Sequence, residues 1–125
     1  MPLMIGTRFE DSIAILELEG ALSLGPSLRT MRSAARDILT SPNLIGIILD
    51  VQRVSSVDSS GLGELTLVYS SASRRNYPML LVGVSSNLRK MLEMTHLDAV
   101  LTSAEDVPSA KRKIKSRSSN SEPPK

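Results

Sequence analysis

The 125-residue sequence contains no cysteine, no tryptophan and a single histidine, and only 2% of it is aromatic. Without cysteine there can be no disulfide, no thiolate nucleophile and no cysteine-ligated zinc. His96 alone cannot build a multi-histidine metal site, and no metal or cofactor is expected. With Phe9, Tyr69 and Tyr77 as the whole aromatic complement, aliphatic side chains must fill the core. No apolar run approaches the roughly 20 residues that span a bilayer. The N-terminus, Met1-Pro2-Leu3-Met4-Ile5, lacks a basic stretch followed by an apolar one, so no secretory signal is read there and a cytoplasmic protein is expected.

The length suits one domain with a hydrophobic core that needs no covalent or metal staple. The net charge of +2 hides an asymmetry. Lys111, Arg112, Lys113, Lys115, Arg117 and Lys125 stand against Glu122 at the C-terminal end, and residues 1–110 carry nine basic and twelve acidic residues. A folded domain over 1–115 is expected, followed at 116–125 by a Ser/Pro-rich tail too poor in apolar residues to repay the entropy of ordering. The basic run that opens at Lys111 could touch nucleic acid or an anionic membrane surface. It lacks interleaved aromatic residues to stack on bases, and cations are favourable at a helix C-terminus in any protein, so nucleic acid is not an expected partner.

Periodicity gives the order of elements. Residues 13–19 read as a strand, with 7–9 a short partner and Glu10-Asp11-Ser12 the turn. Gly25-Pro26 opens a helix whose face is Leu28, Met31, Ala35 and Ile38, closed by Ser41-Pro42-Asn43. The continuous apolar run at 44–49 suits a strand buried on both faces. Leu62, Leu65, Tyr69 and Ala72 mark a second helix ending near residues 74–76. A second buried strand is read at 79–84. Leu88, Met91, Leu92 and Thr95 mark a third helix, with Ser86 as its N-cap. A last short strand is expected at Val100-Leu101. Ser103-Ala104-Glu105-Asp106 resembles a capping box for a fourth helix that buries Val107, Ala110 and Ile114, with Pro108 in its first turns. The alternation predicts one small α/β domain, a mixed sheet of four to five strands with about four helices and right-handed crossovers.

One stretch carries chemistry. Val54-Ser55-Ser56-Val57-Asp58-Ser59-Ser60-Gly61-Leu62-Gly63 joins a buried strand to a helix with small and polar residues. A helix N-terminus offers unpaired N–H donors and a partial positive charge, which stabilise anions such as phosphate. The plainer explanation is that Asp and Ser are preferred N-caps and that the glycines permit a tight turn.

Asp58-Ser59-Ser60-Gly61-Leu62-Gly63 resembles the signature of the STAS family, which includes bacterial anti-sigma factor antagonists. The resemblance extends over about residues 9–114, through the strands at 47–51 and 79–84 and the third helix with its exit at His96. It implies a STAS-like fold, no enzymatic activity and a phosphorylation-switched binding module. Ser60, the serine before the first glycine, would be the phosphoacceptor. The unphosphorylated domain would bind an anti-sigma factor that is also a serine kinase, and a PP2C-type phosphatase would reset it. Asp58, Ser59, Gly61, Leu62 and Ser23 would form the partner-binding surface.

Three positions depart from the family. Antagonists usually carry Gly-acid-Leu-Asp after the second strand, where this chain has Gly20-Ala21-Leu22-Ser23. Both acids are absent, and Ser23 serves equally as a turn or capping residue. This leaves open a STAS module with another partner or a small ligand, such as a nucleotide or lipid, outside sigma-factor control. His96 stands where the family often has glycine and is expected to be a partly exposed cap residue. A serine hydrolase would need a Gly-x-Ser-x-Gly elbow, which the motif is not, and would have only His96 as base.

Overall fold

Side chains along a strand point to alternate faces, and strands that are apolar at every position must be covered on both. The computed structural model, which describes residues 2–120, shows how that covering is arranged. The order is β1 (Met4–Glu10), β2 (Ile13–Leu22), α1 (Pro26–Leu39), β3 (Gly46–Val57), α2 (Ser59–Arg74), β4 (Met79–Val82), α3 (Ser86–Met94), a 3-10 turn (Leu97–Ala99), β5 (Ser103–Ala104) and α4 (Val107–Asn120). The strands form one sheet in the order β1-β2-β3-β4-β5. β1 and β2 are an antiparallel hairpin, and every later pairing is parallel, so the sheet is mixed as expected.

The period of two along β2 to β4 decides the layers. Ala14, Leu16 and Leu18 of β2, Ile47, Leu49 and Val51 of β3, and Leu81 of β4 share one core with the apolar faces of α1, α2 and α3. The intervening residues Ile13, Ile15, Ile48, Leu80 and Val82 meet Ala110 and Ile114 of α4 on the other side. From β2 to β5 the chain steps along the sheet in one direction, and crossovers of one hand then put α1, α2 and α3 on the same face. The β1–β2 turn places Asp11 and Ser12 at φ 56° and 64°, the left-handed pair that a tight hairpin requires. Asp11 pairs at 2.9 Å with both Lys111 and Lys115, and Lys111 also reaches Glu10 at 3.1 Å. α4 is therefore tied to the hairpin as well as packed on the sheet.

Several boundaries differ from the sequence expectations, each for a local reason. β1 covers seven residues rather than 7–9, because β2 offers it a partner all the way to Glu19. β3 continues past its apolar run through polar residues to Val57, pairing with β2 across two register shifts. Ser85, not Ser86, caps α3, its hydroxyl accepting from the Leu88 N–H at 3.1 Å. The last strand is Ser103–Ala104 and not Val100-Leu101. Leu101 is buried, but it follows the 3-10 turn, with its N–H donating to the Leu97 carbonyl at 2.7 Å. Ser103 and Ala104 thus belong to β5, and Asp106 alone caps α4, accepting from the Ser109 N–H at 2.8 Å. α4 runs to Asn120. The remainder of the expected tail, 121–125, lies outside the described residues.

Candidate functional site

Leu22 at the end of β2 lies opposite Val57 at the end of β3, so the connection to α1 and the start of α2 emerge side by side. In open α/β sheets, ligands bind outside the carboxyl ends of the strands, where these two segments lie. Asp58 joins the two. It is extended (φ −105°, ψ −176°) and caps α2, one carboxylate oxygen accepting from the Gly61 N–H at 2.8 Å. The other oxygen accepts from the Leu24 N–H at 3.0 Å. Leu24 and then Gly61 hold the Asp58 carboxyl below its ordinary range, because donors satisfy the charged form.

Gly61 is buried at the closest approach of the two elements. A Cβ there would lie 1.9 Å from the Leu22 carbonyl oxygen. Only glycine lets the first turn of α2 rest on the end of β2. Leu62 points into the core, 4% exposed, among the residues under α2. Ser59 is exposed and Ser60 half-buried, both in the first turn of α2. Ser23 is half-buried just beyond the end of β2. The predicted residues thus divide. Asp58, Ser59, Ser60 and Gly61 form one turn, with Ser23 leading into the loop that Asp58 clips to it, whereas Leu62 anchors that turn from below.

Two residues beside the predicted partner-binding set also belong to this surface. Leu24, bonded through its N–H to Asp58, is 76% exposed, a large apolar side chain in an otherwise small and polar loop. Gly63 is exposed in the first turns of α2 with open space where a Cβ would go. Glycine inside a helix costs about 1 kcal/mol relative to alanine, and nothing in the described fold requires it here. The signals were present: an apolar residue in a turn and a glycine that packing does not need. One turn on from Ser60, Glu64 is buried and paired with Arg32 of α1 at 2.8 Å. His96 lies at the exit of α3 with φ 61°, exposed, in the left-handed cap conformation expected of it.

Fold and site together define a small α/β module with a capped, partly exposed helix N-terminus at the carboxyl ends of its central strands. The chain belongs to the STAS domain family, whose model matches residues 4–110. Among solved structures it is similar to a protein assigned as an anti-sigma factor antagonist from Thermotoga maritima (TM-score 0.81, 20% identity, 90% of this chain and 95% of that one). It is also similar to a sulfate transporter family protein from Wolinella succinogenes (TM-score 0.75, 20% identity, 90% and 92%). A third is the Bacillus cell fate determinant SpoIIAA in its phosphorylated form (TM-score 0.68, 18% identity, 87% and 98%). At these identities the likeness is one of fold. Among the described residues no helix is long and apolar enough to cross a membrane.

Proposed function

We propose that this chain is a cytoplasmic anti-sigma factor antagonist: a binding module, not an enzyme, switched by phosphorylation of Ser60. The observation that carries the reading is the arrangement of residues 58–63. Their backbone is fixed from within by the Asp58 cap and the Gly61–Leu22 contact, while Ser59, Gly63 and neighbouring Leu24 stay open to solvent. A turn fixed from inside and bare outside suits a docking surface. In the unphosphorylated state the surface would take an anti-sigma factor that is also a serine kinase, with Leu24 as an apolar anchor and Gly63 admitting close approach. A phosphate adds about −1.5 to −2 charge and three acceptor oxygens. The helix N-terminus accommodates that charge in the free domain. In the complex it would meet a desolvated surface beside Asp58, and a few kcal/mol lost there is about 10²-fold in affinity. A PP2C-type phosphatase would reset the switch.

A second reading is favoured by Ala21 and Ser23, which leave the end of β2 without the carboxylates antagonists usually carry there. On that reading the module serves another partner or small ligand outside sigma-factor control. Intact mass after incubation with ATP and an extract containing the kinase separates the two. The antagonist reading expects wild type to gain one phosphate and Ser60→Ala none. No gain in either, under conditions that phosphorylate a known antagonist, would favour the second reading.

A further inference from the structure

Residues 1–110 hold nine basic residues, and four of them, Arg32, Arg36, Arg74 and Arg75, line one groove of about 400 Å³ between α1 and α2. In a body with more acidic than basic residues, that is a concentrated positive rim. The only carboxylate in the lining is Glu64, and Arg32 already pairs with it at 2.8 Å. Arg75 donates to the Leu39 carbonyl at 2.6 Å, which closes the end of α1. The other two are not engaged in this way. Arg74 makes a single long contact, 3.4 Å, to the Ser71 hydroxyl one turn back, and the Arg36 guanidinium donates to none of the described residues. Between the charges the groove is apolar, with Val68 in its floor and Leu67, 55% exposed, on its wall.

We propose that this groove docks an acidic amphipathic segment of a partner protein, its carboxylates on Arg36 and Arg74 and its apolar side chain on Leu67. The apolar wall argues for a chain segment over a small anion: a small ion would leave Leu67 in water, whereas the side chain of a peptide covers it. Arginine favours carboxylates through its paired N–H donors, and the absence of any aromatic residue from the lining disfavours stacked bases. The groove begins one turn on from residues 59–63, at Glu64 and Leu67, and the proposal does not require Ser60 to be phosphorylated.

The test uses the full chain and a labelled peptide of alternating Glu and Leu clusters, roughly two to three helical turns long, followed by fluorescence anisotropy and amide NMR shifts. Arg36→Glu combined with Arg74→Glu is the informative variant, because it leaves the Arg32–Glu64 pair and the Arg75 cap untouched. Binding to wild type should shift amides of α1 and α2 around Arg36, Leu67 and Arg74. The double variant should lose about tenfold or more in affinity. A Gln/Leu peptide should bind as weakly as the double variant binds the acidic one. Leu67→Ser should weaken binding without altering its salt dependence. The proposal fails if the acidic peptide binds neither form or both equally, or if the shifts map to the basic run at 111–117. It fails equally if inorganic phosphate or succinate competes at the peptide's own concentration, which would make the groove a small-anion site.

Discussion

Gly61 and Gly63 stand two residues apart on α2 and answer to different demands. Gly61 faces the Leu22 carbonyl, and a methyl group there would overlap backbone atoms that cannot turn aside. Gly61→Ala is therefore expected to cost about 1–3 kcal/mol, as overpacking does, and to displace the first turn of α2. Gly63→Ala meets open space and should stabilise the free protein by about 0.5–1 kcal/mol, the helix-propensity difference, while weakening any partner that packs against the bare backbone. Urea unfolding of the two variants together with a binding assay checks both signs. If Gly63→Ala stabilises and binds normally, its openness has no role in recognition. The run at 58–63 was legible in sequence because its residues are contiguous. Its division was not. Which residues turn inward depends on where the Leu22 carbonyl lies, and that carbonyl belongs to a strand far back in the chain. Leu24 went unnoticed for the same reason: its link to Asp58 exists only once β2 and β3 are paired.

At the scale of elements, the helices were readable because a stripe of apolar residues states both their existence and their buried face. Met31, Ala35 and Ile38 on α1 and Leu62, Leu65 and Ala72 on α2 are buried as their spacing required, and Leu28 and Tyr69 are half-buried against the same core. Strand ends were not readable, because pairing sets them. Residues 52–56 of β3, polar but for Val54, are strand only because β2 runs alongside. α4 joins the two kinds of information. Ala110 and Ile114 were read as inward-facing, and they are the contact between α4 and the outer face of the sheet. Gly46 of β3 lies beneath Ile114, whose side chain leaves no room for a Cβ there. Ile114→Ala should cost about 2–5 kcal/mol, with α4 amides exchanging hydrogen faster than those of the central strands.

The other attachment of α4 is electrostatic and has a pH signature. Lys111 and then Lys115 bring the Asp11 carboxyl from 3.8 down to about 2. A carboxyl whose folded value is depressed adds stability that is complete above its unfolded value and lost as pH falls through its folded one. The contribution of Asp11 should be whole above about pH 4 and vanish toward pH 2. Melting temperatures of wild type and Asp11→Asn should differ at pH 6 and converge by pH 2. The pair is exposed, so salt should narrow the gap at pH 6. A gap independent of both pH and salt would mean that the Asp11→Asn substitution perturbs the hairpin turn rather than the ion pairs.

Taken whole, the molecule is a sheet covered on both faces, with its proposed switch placed where the least has to move. Leu22, Leu62 and Leu65 beneath the first turns of α2 are fully or almost fully buried and part of the main core. The Asp58 cap and the Gly61 contact hold that turn against β2, so an added phosphate on Ser60 has no packed alternative into which to drive the fold. A switch of this design acts through the surface it alters. The free domain should therefore tolerate the charge: a dianion at a helix N-terminus gains about 0.3–1 kcal/mol, offset in part by repulsion from Asp58. Phosphorylated protein, or Ser60→Asp as its approximation, is expected to melt within a few degrees of wild type. Its amide shifts should change only at residues 23–25 and 58–64. Its affinity for the proposed anti-sigma kinase should fall about 10²-fold or more. Shifts spreading into β4, α3 or α4 would instead demand a second packing of the core, and the two-state element would have to be sought there.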